Sequence, residues 1–338
     1  MIKYEDFIKK LFKTKYKSNE FHILLSQLTV ANLSTIYGSL YGKATKLKKQ
    51  ELVDFFDKNY TDNLMEVLKN LNSEILDYFF YIVENDGELE FIHLSFSFAT
   101  LMKMTLLAFP VIKDNEYKLV MADKVYDIAN IINYDEIYGA VKENDIIVTY
   151  VRKLVEIYGE FNINVLFTYL KEYENIQCSY EDKVFFLNYD SIFSNQYEIK
   201  NDKIISYDIE EIENYDELKI KNIHLSYYKI PKKEFVDNYY TDAEEEIIYF
   251  LRNNLHMEKD MAFDFVEALT KMIKLEANLP QLLKTITLQL NKYEKTQLIK
   301  HIEYLYKNTR LYTLKGFTRS EVNHVSKLIP FKPNITKK

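Results

Sequence analysis

Several residue types are scarce in this chain, and each shortage closes off a class of protein. Among 338 residues there is one cysteine, Cys178. A lone thiol cannot close an intramolecular disulfide framework or supply a cysteine-based structural zinc site. Six glycines and five prolines fall well below the usual shares of about 7% and 5%. That leaves little material for glycine-rich phosphate loops, collagen, proline-rich linkers or a turn-dense β-sandwich. No run approaches the roughly 18 apolar residues that cross a bilayer. The most apolar stretch, 100–112, is interrupted by Lys103 and Pro110. The opening Met-Ile-Lys-Tyr-Glu-Asp has no apolar segment of the kind found in a secretory signal. Together these absences point to a cytoplasmic protein with no membrane association and no cofactor.

What is present is ample core material: 47% hydrophobic, 15% aromatic and 28% charged residues, a globular composition at a length of two or three domains. Charge is uneven. Residues 1–50 hold ten lysines against Glu5, Asp6 and Glu20, and residues 281–338 hold ten lysines and two arginines against Glu294, Glu303 and Glu321. The overall charge of −7 therefore hides an acidic middle between basic ends. Basic ends attract phosphate backbones through counterion release; an acidic middle repels them and suits a basic protein partner.

Apolar spacings of three and four predict a helical N-terminal third. Its stripes are Phe7, Ile8, Leu11 and Phe12; Phe21, Leu24, Leu25 and Leu28 behind a Ser18 cap; Leu33, Ile36, Tyr37 and Leu40 from Thr29 to Gly42; and Leu47, Leu52, Phe55 and Phe56 over 46–60. Thr61 and Asn72-Ser73 read as caps of two more helices, and Asn85-Asp86-Gly87 as a turn. Helices at 61–71, 73–85 and 97–106 precede a hairpin, 109–112 and 117–121 around Asp114-Asn115, in the order of a winged helix. A second such order follows: helices near 144–158 and 162–174, a strand at Val184–Asn188 and a hairpin around Asn201-Asp202. Residues 208–218 read as an acidic connector. From 232 the pattern is helical, with helices at 241–256, 260–276, 280–291 and 295–314 and a Thr318–Glu321 capping box. The expected fold is mainly α: a basic helical module at 1–60, winged-helix-like modules at 61–142 and 143–218, and an antiparallel helical bundle at 219–338.

Catalytic motifs are sparse. Gly38 to Thr45 departs from a phosphate loop in spacing and in having Ala44 after Lys43, and reads as a helix end. His22, His93, His224, His256, His301 and His324 show no metal-ligand spacing. Asp208 with Glu217-Leu218-Lys219, or Glu181-Asp182-Lys183, offers the carboxylates and lysine of a metal-dependent nuclease, but such triplets arise by chance in so charged a chain. The two candidate recognition helices are poor in cations: 96–107 holds only Lys103, and 163–174 holds Lys171 among acids. They suit packing or protein docking better than base readout.

The basic loop is more informative. Leu33 to Phe56, with Tyr37-Gly38, Lys46-Leu47-Lys48-Lys49 and Glu51-Leu52-Val53, resembles the Rho-N module of transcription termination factor Rho and the related SAP modules. Tyr306-Lys307-Asn308-Thr309-Arg310-Leu311 and Lys315-Gly316-Phe317-Thr318 resemble the end of a group of uncharacterised bacterial proteins, mostly from Gram-positive bacteria and mobile elements. Those proteins join a Rho-N-like start to helical regions and sometimes a SEC-C zinc tail, which is missing here. The matching pieces span under a fifth of the chain. The resemblance implies nucleic-acid contact at Lys43, Lys46, Lys48 and Lys49.

Three readings follow. The leading one is a non-enzymatic, nucleic-acid-associated regulator using Lys43, Lys46, Lys48, Lys49, Arg310, Lys315 and Arg319. The second is an acidic factor of phage or mobile-element type that docks a basic nucleic-acid enzyme through Glu210, Glu211, Glu213, Asp242, Glu244, Glu245 and Glu246. A metal-dependent nuclease is the third.

Overall fold

The computed structural model describes residues 4–236, 239–285 and 290–322. It is mainly helical with small sheets, and its chain divides into two units. The first comprises Met1–Val148 and Phe167–Ile199, the second Thr149–Leu166 and Lys200–Lys338. Among the described residues no helix is long and apolar enough to cross a membrane.

The first unit opens with α1 (Tyr4–Leu11), β1 (Thr14–Lys15), α2 (Phe21–Ser26), α3 (Val30–Tyr41), α4 (Lys49–Lys69) and α5 (Ser73–Glu84). Two of these starts follow the sequence signals closely: Thr29 caps α3 by accepting from the Asn32 N–H, and Asn72 caps α5 by accepting from Ile75. Two differ. Glu20, not Ser18, precedes α2, and the Ser18 hydroxyl accepts from the Glu20 N–H outside the helix. Thr61 caps nothing, because α4 runs through it. Phe56, Tyr60, Leu64, Val67 and Leu68 are all buried on one continuous stripe, so burial outweighs a threonine's capping preference. The expected boundary at 60 therefore falls inside α4, and that at 142 inside a later helix, Asp135–Tyr158.

Next come β2 (Glu88–Glu90), α6 (Phe96–Met104), β3 (Phe109–Lys113), β4 (Glu116–Val120) and α7 (Asp123–Ala129). The sheet order is β1-β3-β4-β2. β3 and β4 form the expected hairpin, with Asp114 and Asn115 both at positive φ, the two-residue turn that matches strand twist. β1 joins in parallel, Thr14 opposite Val111 and Lys15 opposite Ile112. Phe12, Phe21, Phe56, Phe98 and Phe109 anchor the core beneath, and the Tyr60 hydroxyl donates to the Thr105 carbonyl.

The chain then passes between units. α8 (Asp135–Tyr158) leaves the first, β5 (Glu160–Asn162) lies in the second, α9 (Asn164–Glu174) returns, and α10 (Tyr180–Ser194) belongs to the first. The strand expected at Val184–Asn188 is helical. A reciprocal Ser179–Asp182 capping box nucleates α10, and Phe186, Leu187, Tyr189 and Asp190 share its buried face. Helical nucleation by the box overrides the local β-propensity.

Strands β6 (Tyr197–Lys200) and β7 (Lys203–Ser206) flank Asn201-Asp202, again both at positive φ. In the second unit β5 pairs antiparallel with β7, Glu160 opposite Ile205. Residues 208–218 are not a loose connector. Ile209 and Ile212 are buried, Asp208 pairs with Lys271 at 3.0 Å, and α11 (Tyr215–Lys221) follows, enclosing the expected boundary at 218. α12 (Asp242–Asn253), α13 (Lys259–Lys274), α14 (Leu279–Thr285) and α15 (Lys292–Asn308) share a core of Ile247, Leu251, Val266, Ile273, Leu298 and Ile302. Thr241–Glu244 and Asn291–Glu294 cap two of them reciprocally. Gly159, at φ +67°, admits Tyr312 so closely that a Cβ would lie 2.7 Å from its ring. The Thr318–Glu321 box is formed; the expected end of its helix near Pro330 lies outside the described residues.

Candidate nucleic-acid interface

The loop joining α3 to α4 carries Lys43, Lys46 and Lys48, with Lys49 opening α4. Gly42 ends α3 at φ 66°, its N–H bonded to the Gly38 carbonyl, so Gly38–Thr45 is a helix end rather than a phosphate loop. The Lys48 N–H donates to the Glu51 carboxylate at 2.7 Å, which fixes where α4 begins. Lys43, Lys46, Lys48 and Lys49 are all exposed, and none is ion-paired among the described residues. Tyr41 beside them packs with Tyr37 and Phe55 at ring separations of 4.9 and 5.4 Å, and burial raises its phenol pKa.

A second basic feature in the same unit has no counterpart in the sequence motifs. A cavity of about 260 Å³ is lined by Lys10, Lys13, Lys15, Lys17 and Lys103, with Gln27, Thr29 and Asn32. Lys10 ends α1, Lys15 sits on β1, and Lys103 lies in the last turn of α6. Pairing of β1 with β3, extended by the Tyr16 N–H to the Ile112 carbonyl at 2.9 Å, holds the N-terminal lysines in place. None of the five is ion-paired among the described residues. Burial, then the charge of Lys13, lowers the Lys103 pKa. Both polar atoms of the Gln27 amide are buried without a hydrogen-bond partner. The period-two run Lys13, Lys15, Lys17 was legible in the sequence; the convergence of Lys103 upon it was not.

The C-terminal cations of the second unit are differently placed. Arg310 has a side chain only 13% exposed, sits between Glu234 at 3.6 Å and Glu321 at 3.4 Å, donates to the Gly316 carbonyl and stacks 3.5 Å over Tyr228. Arg319 pairs with Glu276 at 2.9 Å, donates to the Tyr306 carbonyl and stacks over its ring. Lys315 donates to the carbonyls of Ile223 and Leu225. All three are engaged inside the unit, Arg310 and Arg319 with carboxylates and Lys315 with carbonyls. The remaining C-terminal lysines beyond 322 lie outside the described residues.

Of the acidic residues, Glu210, Glu211, Glu213, Asp242, Glu245 and Glu246 are exposed. Glu244 turns inward, accepting from the Thr241 N–H and hydroxyl and from Thr270. Among the nuclease candidates, Lys219 pairs with Glu160, Lys183 with Glu143, Asp208 with Lys271, and Asp182 caps α10, while Glu181 and Glu217 are exposed. Among the described residues no three His, Cys, Asp or Glu side chains gather as a metal site. No family model, curated protein or solved structure matches the chain.

Proposed function

We propose that this is a non-enzymatic, nucleic-acid-associated regulatory protein that holds phosphate backbones through its first unit. The observation that carries the reading is the set of nine lysines around one cavity and one loop, none ion-paired among the described residues. Unpaired ammonium groups release counterions when phosphate arrives, whereas paired ones must first give up a carboxylate. The loop's resemblance to Rho-N and SAP modules supports the same contact.

In this reading α5, β2, α6, β3 and β4 form a winged-helix-like module, since β2 pairs with the outer hairpin strand β4. In the same reading α8, α9 and α10 precede the β6 and β7 strands in the order of a second such module. α12 to α15 act as an antiparallel bundle. A second reading retains one specific observation: six exposed acids at 210–213 and 242–246 suit docking of a basic protein.

The test is a binding titration against labelled single- and double-stranded DNA and RNA over a salt series. Micromolar or tighter binding that weakens steeply with salt supports the proposal; absence of binding at low salt overturns it and favours the acidic docking surface.

A further inference from the structure

The lysine cavity differs from the loop in being recessed, and the difference bears on what it takes. Its walls come from three segments: the end of α1 running into β1, the turn from α2 to α3, and the last turn of α6. At about 260 Å³ it falls just short of the roughly 300–1,000 Å³ of pockets that enclose drug-sized ligands. It therefore admits one compact group, at the end of a backbone held by the exposed Lys13, Lys15 and Lys17.

We infer that this cavity takes a terminal phosphate, a phosphomonoester at the end of a nucleic-acid strand or on a free nucleotide. The inference rests on the nucleic-acid reading and sharpens it. Five lysines converge with no carboxylate paired to any of them among the described residues, so their mutual repulsion calls for concentrated negative charge. A phosphodiester brings one charge; a phosphomonoester brings about −1.5 to −2 at neutral pH, with three acceptor oxygens. The start of the 12-residue α3 adds the positive end of its dipole at Thr29.

Gln27 supplies the independent observation. A buried amide with no partner costs free energy, and it lines this cavity. Its nitrogen can donate to a phosphate oxygen, and its oxygen can accept from a lysine drawn in with the ligand. The partly buried Lys103, whose pKa is lowered by burial and by Lys13, gains most from an incoming dianion.

Strands of one sequence, labelled at the 3′ end and carrying a 5′-phosphate or a 5′-hydroxyl, are titrated into the full chain. A 5′-hydroxyl strand two nucleotides longer, with two added phosphodiester charges, controls for total charge, and adenosine monophosphate and inorganic phosphate serve as competitors. The expected result is binding about tenfold tighter for the phosphorylated end, some 1.4 kcal/mol. Gln27→Leu removes that preference and leaves the general salt-dependent binding. Lys13→Gln with Lys17→Gln, both exposed, also removes the preference while weakening strands of both kinds, should the first variant unfold. Equal affinity for the two ends overturns the cavity assignment while leaving backbone binding intact. Competition by adenosine monophosphate without strand binding overturns the nucleic-acid reading but keeps the cavity as a nucleotide site. No binding of any probe overturns both.

Discussion

In the first unit Lys10, Lys13, Lys15, Lys17 and Lys103 face a cavity with no carboxylate paired to them among the described residues, and Lys43, Lys46, Lys48 and Lys49 stand exposed on a loop. In the second, Arg310, Arg319, Lys274, Lys219 and Lys271 each lie against a carboxylate, and Lys315 against two carbonyls. The first unit has ion pairs too, such as Lys118 with Glu88 at 3.0 Å on its sheet and Lys124 with Asp57 at 2.6 Å between helices, but none of those among the described residues includes a cavity-lining lysine. The cations singled out at the two basic ends are thus differently engaged among the described residues. A charge count along the sequence measures how many cations exist; only the fold shows how many are left to meet a ligand.

The contrast breaks most sharply at Arg310. Replacing it with Ala leaves Glu234, whose side chain is 7% exposed, without its guanidinium, and should cost about 3 kcal/mol. Urea unfolding checks this, and strand affinity of the folded fraction should not change. Lys13→Glu, Lys15→Glu and Lys17→Glu together should do the reverse. Affinity falls about a hundredfold at low salt while the unfolding midpoint moves little, because all three residues are exposed.

Reversing Lys43, Lys46, Lys48 and Lys49 to Glu should abolish strand retention at physiological salt with helicity intact in circular dichroism. For single strands the salt slope should drop by up to about 3, at roughly 0.7 per phosphate. Unchanged retention by the folded quadruple variant would confine phosphate contact to the cavity.

The smallest effect concerns Glu156. Withdrawal from water would raise its carboxyl pKa, but Lys274 and Lys153 outweigh this and hold it at about 2. The unfolded chain has its glutamate near 4.3 and so takes up the proton first as pH falls. The stabilisation is complete above about pH 5 and is lost towards about pH 2. Glu156→Gln should therefore flatten the acid limb of Tm against pH without moving strand affinity.

Much of the fold was legible. Thr29, Asn72, Thr241 and Thr318 mark helix starts where caps form, and Asp114-Asn115 and Asn201-Asp202 mark turns at positive φ. Local rules were misleading where a longer-range one competed: Thr61 lies inside a continuous buried stripe, and Val184–Asn188 was claimed by the Ser179–Asp182 box. The site was only half legible. The loop lysines are contiguous and can be read directly. Lys103 reaches the cavity only through tertiary packing, and it had stood out merely as the one cation on its helix. The engagement of Arg310 and Arg319 was invisible because Glu234 and Glu276 lie far from them in sequence.

The most direct test measures how the affinity for one single-stranded oligonucleotide changes with salt, from about 50 to 200 mM. Wild type is compared with Lys13→Glu/Lys15→Glu/Lys17→Glu and with Lys315→Gln/Arg319→Gln. The expected result is a slope shallower by about 2 for the first variant and an unchanged slope for the second, at a temperature where both are folded. Equal loss in the two variants, or loss only in the second, would contradict it.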